Sequence, residues 1–108
     1  MRRSTLAGKE LALALTSVLF VSATALAASI EADFKSAYAA ADAAEKQAIA
    51  LRNQWLPTET ALADARKAAE QGDFDRAAAA AKEAEALAKA SIFQAESEKE
   101  AWKALEIR

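Results

Sequence analysis

The sequence contains neither cysteine nor histidine, and these two absences exclude most of the ways in which a small protein builds a reactive site. Without cysteine there is no disulfide framework, and covalent haem attachment through C-x-x-C-H needs both of the missing residues. Without histidine the chain lacks the side chain that titrates closest to neutral pH and binds metals most often. We therefore expect a protein that is not an enzyme, with no catalytic residue, no metal site and no cofactor of its own.

Glycine and proline are also scarce, because after residue 27 the only helix breakers are Pro57 and Gly72. Alanine, the strongest helix former, supplies 27 of the 81 residues from 28 to 108. We predict an all-α fold with helices at about residues 30–55, 58–71 and 74–106. They would form either an antiparallel helical hairpin or a three-helix arrangement with an alanine-rich seam.

Residues next to the two breakers carry the signals for helix ends. Proline lacks an N–H and disfavours helix at the residue before it, so the second helix is expected to be capped by Thr58 or Leu56. Gly72 fits the left-handed position that follows a helix. Asp73 is then expected to cap the third helix.

The sequence also lacks an apolar run long enough to cross a membrane. The apolar run of the N-terminal region covers only residues 11–21. This is shorter than the roughly 20 residues that cross a bilayer, which opposes the alternative of a retained membrane anchor. Basic residues precede the run, and small residues including Ala25 and Ala27 follow it, in the order of a secretory signal peptide. We predict a cleavable signal at residues 1–27, cut after Ala27 or Ala28, and a mature periplasmic domain at residues 28–108 with no membrane contact.

The charges of the mature part are mixed. Residues 28–108 hold 11 basic and 15 acidic residues, a net charge of −4. Nucleic acid requires a basic face, so it is not an expected partner. Interspersed charges of both signs are typical of solvated helix surfaces.

Apolar residues recur at alternating spacings of three and four in the first and third helices, which is the pattern of a helix-packing seam. In the first helix the seam comprises Ile30, Phe34, Ala37, Ala41, Ala44, Ala48, Leu51 and Trp55. In the third it starts at Phe74, remains apolar until Ser91 and then weakens. Such a seam is either an ordinary intramolecular contact or a groove for a partner's helix.

Large side chains are few, and a buried Leu or Phe contributes about 1.5–3 kcal/mol where an alanine methyl contributes about 0.8. Trp55 lies on the first seam and is expected to pack in the core. Trp102 lies in a polar segment and fits either the core or an interface, where tryptophan is enriched. Phe93 lies beside the third seam. Trp55, Phe93 and Trp102 are the candidate partner-binding residues.

Residues 55–102 contain the elements Trp55-x-x-Thr58, Gly72-Asp73-Phe74 and Gln94-Ala95. In this pattern the chain resembles the SoxXA-binding protein family, also called SoxK. The resemblance implies a periplasmic accessory subunit of thiosulfate oxidation that associates with SoxXA, a c-type cytochrome complex. The carrier SoxYZ is a second candidate partner.

A different interpretation follows from the first seam alone. A run of alanines at heptad spacing is also typical of an alanine-zipper-like structural or adaptor protein of the cell envelope. Such a protein would self-associate into a homo-oligomer through residues 30–55.

Overall fold

The structure, a computed structural model, describes the backbone of residues 2–106 and the side chains of residues 25–106. It contains the helices α1 (Arg2–Ala50), α2 (Leu56–Glu70) and α3 (Phe74–Glu106). The described residues include no strand, which confirms the predicted all-α class.

The chain divides into two units, Met1–Glu31 and Ala32–Arg108. The first unit contains the N-terminal part of α1. The signal peptide was predicted at residues 1–27, and residues 1–24 of it lie outside those whose side chains are described. None of the described helices is long and apolar enough to cross a membrane.

Three helices share the core of the second unit. One cluster joins Ala37 of α1, Ala65 of α2 and Ala81 of α3. The next joins Ala41 of α1 to Ala61 and Leu62 of α2 and to Ala84 of α3. From the first cluster to the second, the residue numbers rise along α1 and α3 and fall along α2. Helix α2 therefore runs antiparallel to the other two helices. Of the two predicted arrangements, the chain adopts the three-helix one.

The core is built almost entirely from alanine, and apart from Leu62 the large side chains lie at its edges. The buried alanines are Ala37, Ala41, Ala44, Ala48, Ala61, Ala65, Ala68, Ala77, Ala81, Ala84 and Ala88. Phe34, Tyr38 and Leu87 are partly buried against them. Because the distance between packed helices depends on the side chains at the contact, methyl groups permit a close approach. The predicted seams are thus intramolecular contacts.

Helix α1 ends at Ala50, five residues before the predicted end at Trp55. The amide of Asn53 donates to the carbonyl of Ala48 at 3.0 Å, and that of Arg52 donates to Ile49 at 2.9 Å. These are the two bonds of a Schellman motif, which stops a helix by placing one residue in the left-handed region. Arg52 is that residue, with φ 57°.

Helix α2 begins at Leu56, two residues before the predicted start. Pro57 is accommodated in the first turn, where its missing N–H has no intrahelical acceptor. Trp55 occupies the N-cap position without a side-chain cap, so neither Thr58 nor Leu56 is the cap. Thr58 is instead fully buried.

The turn between α2 and α3 follows the sequence signals closely. Gly72 has φ 78°, the left-handed conformation expected after α2. The amide of Arg76 donates to Oδ1 of Asp73 at 3.3 Å, as an N-terminal cap of α3 requires. Helix α3 then spans the predicted range.

Candidate protein-interaction surface

Helix α3 is longer than the core that covers it. Its seam is buried up to Ser91 and half-buried at Ala95. The next seam positions, Glu98, Trp102 and Leu105, are exposed. We call residues 92–106 the α3 extension; at 1.5 Å per residue it is about 22 Å long.

A hydrogen bond from the α1–α2 connection marks the start of this extension. The Nδ2 of Asn53 donates to the backbone carbonyl of Ser91 at 2.7 Å and lies 3.4 Å from Oε1 of Gln94. The buried hydroxyl of Ser91 donates to the carbonyl of Ala88 at 2.8 Å. The connection thus fixes α3 where its buried stripe ends.

Trp102 and Leu105 form an exposed apolar stripe that continues the seam. Their exposed fractions are 67% and 59%, and a spacing of three places them on one side of the helix. The core alternative for Trp102 is therefore wrong.

Phe93 is even more exposed, at 72%. It lies nine residues before Trp102, which is two and a half helical turns, so the two rings project from opposite sides of α3. The structure does not bring these two candidates into one patch.

Trp55 is half-buried in the connection between α1 and α2. It lies at the end of the bundle where α1 ends and α2 begins, two residues after Asn53. Two other apolar side chains at this end, Ile49 and Leu56, are 48% and 73% exposed. Leu56 could not be selected from the sequence, because a lone leucine before a proline gives no signal of its exposure.

The α3 extension carries an excess of negative charge. Glu96, Glu98, Glu100 and Glu106 stand against Lys99 and Lys103. One pair is formed, between Lys103 Nζ and Glu100 Oε1 at 3.2 Å, and both side chains are largely exposed. Exposed pairs of this kind contribute little to stability, so the charges remain available to a partner.

A shallow groove of about 370 Å³ lies between α2 and α3. Its lining residues are Leu56, Pro57, Thr60, Ala61, Asp64 and Glu83.

Within the described part of the chain no cluster of three or more acidic residues could hold a metal ion.

Glu45 is a buried charged residue that sequence analysis missed. It is 5% exposed, and burial, followed by the nearby Glu59 carboxylate, raises the pKa of its carboxyl above the ordinary value. Its position directly after Ala44 of the seam gave no indication of burial.

No protein-family model, curated protein or solved structure matches the chain.

Proposed function

We propose that the chain is a non-catalytic periplasmic accessory protein that binds the SoxXA c-type cytochrome complex and supports thiosulfate oxidation. The observation that carries the binding role is the α3 extension, which exposes Trp102 and Leu105 to solvent. The choice of partner rests on the sequence resemblance.

An exposed tryptophan on a helix is a suitable anchor for a protein partner. Tryptophan is enriched among the residues that dominate interface energies, and it is most effective in the desolvated centre of a contact. The stripe of Trp102 and Leu105 is flanked by an acidic excess, which complements a basic surface. Complementary charge raises the association rate and suppresses wrong partners.

Co-purification tests the proposal. Purified mature chain, residues 28–108, is mixed with SoxXA at micromolar concentration and separated by size exclusion, with SoxYZ added in a parallel run. We expect the chain to elute with SoxXA. Separate elution in both runs would reject the proposed partner, while the surface itself would remain to be matched to another protein.

Self-association is the second candidate function. The stripe of Trp102 and Leu105 favours it, but with the α3 extension as the contact in place of the first seam. The first seam is already occupied by α2 and α3, so residues 30–55 are not free to form an alanine zipper. The α3 extension could pair with a second copy instead. Light scattering separates the two candidates, since a homo-oligomer predicts at least twice the monomer mass in the absence of any partner.

A further inference from the structure

The core contains one carboxyl group that has no hydrogen-bond partner. Within the described residues, both carboxylate oxygens of Glu45 are inaccessible to solvent and unpaired, and so is the hydroxyl of Thr58 on α2. Burial without hydrogen-bond partners disfavours the ionised carboxylate, and it raises the pKa of Glu45. A neutral carboxyl also gains a hydrogen to donate, which the ionised form lacks.

The packing of α1 against α2 places a second carboxylate opposite Glu45. Arg66 of α2 donates from Nη1 to the hydroxyl of Tyr38 on α1 at 2.7 Å. Seven residues, or about two turns, further along α1 is Glu45, and seven residues back along the antiparallel α2 is Glu59. By this count the exposed Glu59 of α2 lies near Glu45 across the interface, next to Thr58, and its charge acts on the Glu45 carboxyl.

Two lysines near this level of the bundle pair with carboxylates of their own helices. On α1, Lys46 pairs with Asp42 at 2.9 Å. On α3, Lys89 pairs with Glu85 at 2.6 Å. Glu59 is thus the charged group that acts on Glu45, and it acts against ionisation.

We propose that Glu45 is a proton-dependent latch, whose neutral carboxyl allows α1 to pack on α2 and α3 and whose ionisation releases α1 from them. The latch is effective because the contacts that hold α1 are weak. The α1 side of the interface consists mainly of alanine methyl groups, each of which buries little apolar surface. The cost of burying an ionised carboxylate is therefore comparable with the packing that α1 gains.

The direction of the pH dependence follows from the higher affinity of the packed state for the proton. Docking of α1 is fully stabilised below the ordinary glutamate pKa of about 4.3 and weakens as pH rises through the raised value. Release uncovers the alanine face of α2 and α3, including Ala61, Ala65, Ala81 and Ala84. The inference concerns the chain alone and does not depend on the proposed partner.

Hydrogen exchange of the full-length mature chain tests the latch, with Glu45→Gln as the neutral isostere. At pH 8 we expect the amides of residues 37–48 to exchange faster in the wild type than in Glu45→Gln. The factor is about ten for each unit by which the pKa is raised. At pH 4 the two proteins should exchange equally. Glu59→Gln, which removes only the repulsion, should give an intermediate effect.

Glu96→Gln is the matched control, because Glu96 is exposed on the α3 extension and its variant should behave as the wild type. Equal exchange of wild type and Glu45→Gln at pH 8 would overturn the proposal. So would a difference shared equally by α1 and by the amides of residues 77–88, because the carboxyl would then affect the whole bundle and not the docking of α1.

Discussion

At the scale of single residues, Arg52 shows where the sequence accepts backbone strain. A non-glycine residue at positive φ costs roughly 1 kcal/mol, whereas glycine adopts this conformation readily. We predict that Arg52→Gly stabilises the protein by up to about 0.6 kcal/mol in urea unfolding, because the relieved strain exceeds the roughly 0.4–1 kcal/mol that the greater unfolded-state entropy of glycine costs. Gly72→Ala is the opposite control and should destabilise the protein. A Cβ there meets no atom within 4 Å, so only the φ of +78° is unfavourable. A destabilised Arg52→Gly would contradict this explanation of the α1 end.

The alanine core predicts unusual sensitivity to larger side chains. Ala84 is fully buried where three helices meet. Extra methylene groups in a packed core cost about 1–3 kcal/mol, so Ala84→Leu should destabilise the bundle by at least that amount. Ala86→Leu, on the exposed side of α3, is the matched control and should be nearly neutral. Thermal unfolding followed by circular dichroism measures both, and equal melting temperatures would show that the core is not closely packed.

At the level of secondary-structure elements, the side-chain hydrogen bond of Asn53 holds the segment between α1 and α2 against α3. A bond to a partly buried backbone group contributes about 0.5–1.5 kcal/mol, and we expect Asn53→Ala to lower the free energy of unfolding by that amount. Gln54→Ala, at the exposed next position, should have no effect. Loss of stability in both variants would instead show that shortening any side chain of the connection is destabilising, whether or not it forms this hydrogen bond.

The helices show which signals in the sequence are sufficient. The seam predicted the buried stripe of α3 up to Ser91, because helical spacing places these residues on one face whatever the partner is. The ends of α1 and α2 were less predictable. The Schellman motif places Arg52 where the sequence rules favour glycine. Helix α2 begins one residue before Pro57, so the proline lies inside the first turn of the helix.

At the scale of the whole molecule, the seams predicted the innermost stripe of the helices but not which residues beside it would also be buried. Glu45 follows Ala44 along the chain and becomes buried only because α2 packs on that side of α1. Likewise, the periodicity of α3 continues through Trp102 and gives no sign that the other helices end before it. Both the latch at Glu45 and the exposed stripe at Trp102 depend on the lengths and positions of three helices together.

In the proposed function, the α3 extension binds a protein partner through the stripe of Trp102 and Leu105. Titration calorimetry of residues 28–108 into SoxXA measures this binding, with Trp102→Ala as the variant and Ala104→Ser, an exposed change on another side of α3, as the control. The account predicts that Trp102→Ala weakens binding by about 2 kcal/mol, roughly thirtyfold, with unchanged helix content. Equal affinities for the wild type and Trp102→Ala would contradict it.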